Sequence, residues 1–88
     1  MSYKERIDFI AAILKLLSIP FEMGPLYEGW QLRFPWCEGD VACHRGTYGQ
    51  ANGMVETYQF PWDDGDVTMI TPTAAAIRII SLYCERAM

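Results

Sequence analysis

Two thiols and the chain's only imidazole fall close together: Cys37, Cys43 and His44. A metal reading would use all three, with Cys84, Glu38 or Asp40 as the fourth ligand, because zinc takes about four N, S or O ligands. The spacing is not that of a zinc ribbon or knuckle. Cys43 and His44 are neighbours in a predicted strand, so their side chains leave on opposite faces. Cys84 sits on the apolar stripe of a predicted helix, where it reads as a small core residue. A catalytic thiol fares no better, since adjacent strand residues cannot form a thiolate–imidazole pair. Cys37 could reach His44 across a hairpin, with Glu56 as orienter only if two hairpins pair. Nothing marks an oxyanion hole. The expectation is no metal, no cofactor and no enzymatic activity.

A second chemistry belongs to Arg45-Gly46-Thr47-Tyr48-Gly49-Gln50-Ala51-Asn52-Gly53. Backbone N–H groups at such glycines can face an anion. His44, Arg45, Thr47, Tyr48 and Glu56 would then surround a small ligand such as a nucleotide. The phosphate-loop pattern with its lysine is absent, and a long hairpin connection explains the glycines equally.

The third group is acidic and repeated. Phe34-Pro35-Trp36-Cys37-Glu38-Gly39-Asp40-Val41 returns as Phe60-Pro61-Trp62-Asp63-Asp64-Gly65-Asp66-Val67, with six of eight letters unchanged. Proline ends a paired strand, glycine frees the backbone, and aspartate bridges the turn. Each copy therefore predicts a hairpin turn. The carboxylates do not follow the calcium-loop pattern. Glu38, Asp40, Asp63, Asp64 and Asp66 would form two acidic tips beside Trp36 and Trp62. Acid with aromatic is a contact set that fits a basic protein groove. Burial of both tryptophans beneath the turns is the competing outcome.

The elements that hold these groups are legible. Ser2 and Glu5 form a capping box for a helix over 2–18. Its stripe is Ile7, Ile10, Ile13, Leu14 and Leu17, with Arg6, Asp8 and Lys15 facing water. Phe21 to Met23 suggests a short strand broken at Gly24-Pro25. Tyr27 to Phe34 alternates, with Trp30, Leu32 and Phe34 on one face. Val41–His44, Met54–Phe60 and Val67–Ile70 follow as strands. Thr71 caps the last helix and Pro72 occupies its first position. Its expected stripe is Ala76, Ile77, Ile80, Tyr83, Cys84 and Ala87. The predicted fold is α+β: one domain over 1–88, with an antiparallel sheet of two similar hairpins packed against both helices. Ile10, Leu14, Leu17, Trp30, Leu32, Phe34, Ile77 and Ile80 are the expected core. The other sheet face would stay partly open.

The chain has 88 residues and a net charge of −4, with its seven basic residues scattered. That disfavours direct nucleic-acid binding, which needs clustered Lys and Arg. Three cysteines with no framework spacing argue against a disulfide scaffold. No apolar run approaches the roughly 20 residues of a membrane span, and the expected location is cytoplasmic.

Gly39-Asp40-Val41-Ala42-Cys43-His44, Thr47-Tyr48-Gly49 and Gly53-Met54-Val55-Glu56 together resemble small uncharacterised proteins of phages and prophages of Gram-positive bacteria. The likeness covers most of residues 30–86, while Cys37 and the second Phe-Pro-Trp depart from it. It carries no assigned activity. By class and size it implies an anti-defence, anti-CRISPR-like inhibitor in the host cytoplasm, binding the basic surface of a defence effector. A nucleotide-sequestering protein and a structural or regulatory phage protein that self-associates, for instance as a homodimer, are the alternatives.

Overall fold

Ser2 opens the first helix as its sequence demands. Its hydroxyl accepts the Glu5 N–H at 3.1 Å, and the Glu5 carboxylate accepts the Ser2 N–H at 3.4 Å. In the computed structural model, which describes residues 2–44 and 53–87, this cap starts α1, Tyr3–Leu16. Strands β1 (Glu22–Leu26), β2 (Gly29–Arg33), β3 (Asp40–Cys43), β4 (Val55–Tyr58) and β5 (Val67–Ile70) follow, then α2, Pro72–Ala87. A 3₁₀ turn, Pro61–Asp63, lies between β4 and β5. Thr71 caps α2 through its hydroxyl, which accepts the Ala74 N–H at 3.1 Å.

The strands form one antiparallel sheet in sequence order. Pairing places Leu32, Val41 and Thr57 in one cross-strand row. These face the helices: α1 lies over β2 and β3, and α2 lies beside α1 over β4. Ile7, Ile10 and Leu14 of α1 close on Leu32, Val41, Cys43 and Val55, with Ala75, Ala76, Ile79 and Leu82 from α2. The α+β expectation holds. The uncovered face carries Gln31, Arg33, Asp40, Glu56, Tyr58 and Met69.

Several local expectations are corrected. Arg6 is buried, because its guanidinium reaches the Met54 carbonyl at 3.1 Å and Cys43 Sγ at 3.4 Å. Leu17 is half exposed, since α1 has already ended. The α2 stripe is rotated: Ile79 and Leu82 are buried, whereas Ile77 is 59% exposed and Cys84 is exposed. Ala74–Leu82 is apolar on nearly every side, so several phases fit its pattern. Gly24-Pro25 does not break β1, because an edge strand tolerates a missing N–H. Among the described residues, no helix is long and apolar enough to cross a membrane.

Candidate functional site

The β2–β3 and β4–β5 connections leave the sheet at the same end, so the two octapeptide copies meet. Phe34 and Phe60 are both buried there, edge to face with ring centres 5.8 Å apart. The hairpins match in register: Leu32 pairs with Val41 as Tyr58 pairs with Val67, and Gln31 with Ala42 as Thr57 with Thr68.

The turns themselves differ. In the second copy, Asp63 is buried and its carboxylate accepts the Thr57 hydroxyl at 2.8 Å and the Phe60 N–H at 3.1 Å. Trp62 Nε1 donates to the same Thr57 oxygen at 3.0 Å. These bonds close the 3₁₀ turn and leave Gln59 and Asp64 at φ 63° and 49°. The first copy has Cys37 in place of Asp63, which cannot accept in that way. Its turn is held from outside instead: Trp36 Nε1 donates to the Pro20 carbonyl at 2.8 Å, and Arg86 donates to the Trp36 carbonyl at 3.0 Å. Both copies thus form hairpin turns at corresponding positions in one antiparallel sheet, as the repeat predicts, while their turn backbones differ.

Both tryptophans are partly buried, with their N–H groups satisfied inside the protein. Trp36 packs edge-on against Tyr83 at 5.0 Å. Trp62 stacks on Phe60 at 4.4 Å, and the Arg78 guanidinium sits 5.6 Å from its ring centre. Such rings are held rigidly and still present surface to solvent.

Two clefts open around these turns. One, of about 570 Å³, lies between the copies and is lined by Pro35, Trp36, Cys37, Glu38, Gln59, Phe60, Pro61 and Arg86. The other, of about 500 Å³, lies between the 3₁₀ turn and α2 and is lined by Pro61, Trp62, Ile77, Arg78, Ser81, Leu82 and Glu85. Pro61 belongs to both walls. Sequence reasoning missed the α2 contribution, since helix phase alone decides that Ile77 and Arg78 face the turn.

Of the acidic group, Glu38, Asp64 and Asp66 are exposed at this end. Asp63 is not a tip residue; it builds the turn. Asp40 is half-buried on the open sheet face, accepting Gln31 Nε2 at 3.1 Å. Burial raises its pKa above the ordinary carboxylate value, with Glu56 and Asp63 adding to the rise and Gln31 and Arg33 opposing it.

The metal and nucleophile candidates are dispersed. Cys37 is at the paired-turn end, its thiol pushed up mainly by burial. Cys43 faces the core, likewise raised by burial against the opposing influence of Arg6. His44 is beyond the other end of β3, its ring 5.2 Å from that of Tyr27. Among the described residues, no group of three His, Cys, Asp or Glu side chains lies close enough to hold a metal ion. Of the ligand-cradle group, Arg45, Thr47 and Tyr48 lie outside the described residues; His44 directly follows β3, and Glu56 lies on β4.

Comparison with family models, with curated proteins and with solved structures finds no match to this chain.

Proposed function

We propose that the chain is a non-enzymatic binding protein that engages a basic segment of another protein at its paired-turn end. In the phage setting implied by the sequence resemblance, that partner is a bacterial defence effector, such as a CRISPR nuclease, which the binding inhibits. The observation that carries this reading is the convergence of the two Phe-Pro-Trp turns, with two clefts sharing Pro61. Residues 34–39 and 59–66 hold four carboxylates and no basic residue. Cations enter the clefts only from α2, as Arg78 and Arg86. Rigid aromatics beside an acidic rim suit a partner that offers Lys or Arg next to aliphatic side chains. Anchors already fixed by internal hydrogen bonds lose little freedom on binding.

The test is affinity capture from host lysate with the wild type and with a Glu38→Lys, Asp64→Lys, Asp66→Lys variant. These side chains are exposed and touch no core packing, so the variant should still fold cooperatively, with a melting temperature lowered by the left-handed φ of 49° at Asp64 and by loss of the Asp66 acceptor for the Val67 N–H. The wild type should retain a basic protein at about 50 mM salt and release it near 500 mM, where screening shortens to a few Å. The variant should retain none at either concentration. Equal retention by both proteins would overturn the reading.

A further inference from the structure

The two edges of the sheet are built differently. β1 carries Gly24 and Pro25 at its centre and Glu22 at its start. Proline offers no N–H, and a charge or proline on an edge discourages pairing with another chain. β5 is Val67-Thr68-Met69-Ile70, with no proline, glycine or charge. It pairs with β4 over all four residues without a bulge. Among the described residues, no strand lies on its other side. Met69 is 45% exposed on the open face, and the exposed Ile77 of α2 lines a cleft with Trp62. One edge is thus blunted, while the other is met only at its start, where the Asp66 carboxylate accepts the Val67 N–H at 2.8 Å.

We propose that β5 is a pairing edge and that its occupant is a second copy of this chain, joined antiparallel into one continuous sheet. The edge is self-complementary. With Thr68 opposite Thr68 of the second copy, each Val67 meets a Met69 and each Asp66 meets an Ile70. No like charges are opposed, and threonine pairs are favourable across strands. An even register of this kind keeps helix-side residues on the helix side. The two α2 helices then lie on the same face of the joint sheet, flanking the dyad. A parallel arrangement would instead set the two Asp66 carboxylates side by side. This inference stands on the strand edge and is independent of the paired-turn reading.

A four-residue edge makes a small interface, so the association is concentration-dependent. Sedimentation should give a monomer at about 5 µM and a dimer by about 500 µM, as mass action requires. Added salt should leave the dimer unchanged or tighten it, because each copy carries the same net charge of −4. Met69→Glu, at a half-exposed position, should melt like wild type and remain monomeric throughout. Amide hydrogen exchange of the wild type gives a second readout that needs no variant. Between the two concentrations, exchange should slow several-fold at residues 67–70 and stay constant along β1. A wild type that is monomeric at both concentrations would overturn the proposal. So would a dimer whose added protection falls on β1 or the helices, or one that Met69→Glu leaves intact while folded. Protection of β5 only on adding a different protein would assign the edge to that protein and equally overturn it.

Discussion

The two copies of the octapeptide are nearly the same text and make different turns. Leu32–Val41 and Tyr58–Val67 pair at equivalent positions, so the strands obey the repeat. The connections do not, and one letter accounts for much of the difference. Asp63 gathers the Phe60 N–H and the Thr57 hydroxyl onto one carboxylate and stabilises its turn locally. Cys37 meets the backbone of Gly39 instead, and the first turn is further held through Pro20 and Arg86, far away in sequence. Repeated residues fix where a turn falls; the local acceptor fixes its conformation.

The glycines repeat this lesson. A Cβ on Gly39 would stand 2.4 Å from the Phe60 ring, so this glycine admits a neighbouring aromatic. Gly65 has no atom within 4 Å of such a Cβ, but its φ is 82°. The same letter serves contact in one copy and backbone conformation in the other.

Asp63→Cys writes the first copy's residue into the second. Two buried donors, the Phe60 N–H and Thr57 O–H, would lose a charged acceptor. Each unsatisfied group costs about 1–3 kcal/mol, and the melting temperature should fall by roughly 10–20 °C. A fall of only a few degrees would mean the carboxylate does not build the turn. Cys37→Asp should not mirror this effect, because Gln31 stands where Thr57 stands in the other copy.

The glycine pair gives the next largest effect. Gly39→Ala should cost about 1–3 kcal/mol through overpacking against Phe60. Gly65→Ala should cost about 1 kcal/mol, from the left-handed conformation alone. Gly65→Asn should recover most of that loss, whereas Gly39→Asn should be worse than Gly39→Ala. Denaturant titration of the four variants separates the mechanisms, and a reversed order would contradict them.

The smallest effect belongs to Asp40. Its folded pKa lies above the unfolded one, so the folded state holds the proton more tightly. The stabilising contribution is therefore full below about pH 4 and is lost as pH rises through the folded value. Asp40→Asn should melt slightly higher than wild type at pH 7, and the gap should close below about pH 4. A variant less stable than wild type at neutral pH would contradict the sign.

The strands, both helix caps and the two-layer arrangement were legible because each depends on local spacing: Ser2 with Glu5, Thr71 with Pro72, and the alternation of Trp30, Leu32 and Phe34. Residues decided by tertiary partners were not. Arg6 looks solvated until Met54 and Cys43 are brought to it. Asp63 looks like a surface acid until the hairpin sets Thr57 beside it, although its offset of three from the Phe60 N–H matches a capping spacing. Ile77 and Ile79 are indistinguishable by type, and only the docking of α2 separates them. The candidate site was half legible: the repeat marked both turns and Glu38, Asp64 and Asp66, while the α2 wall depended on helix phase.

If the paired-turn end is the binding surface, the three tryptophan indole N–H signals report it inside one molecule. Trp36 and Trp62 belong to that end, while Trp30, beneath Lys4 and paired with Cys43, belongs to the other. Protein labelled with ¹⁵N should be titrated with the basic protein captured by the wild type, and the three signals followed. The Trp36 and Trp62 signals should shift or broaden while Trp30 holds still. Movement of Trp30 with Trp36 and Trp62 unchanged would place the partner at the His44 end and contradict the account.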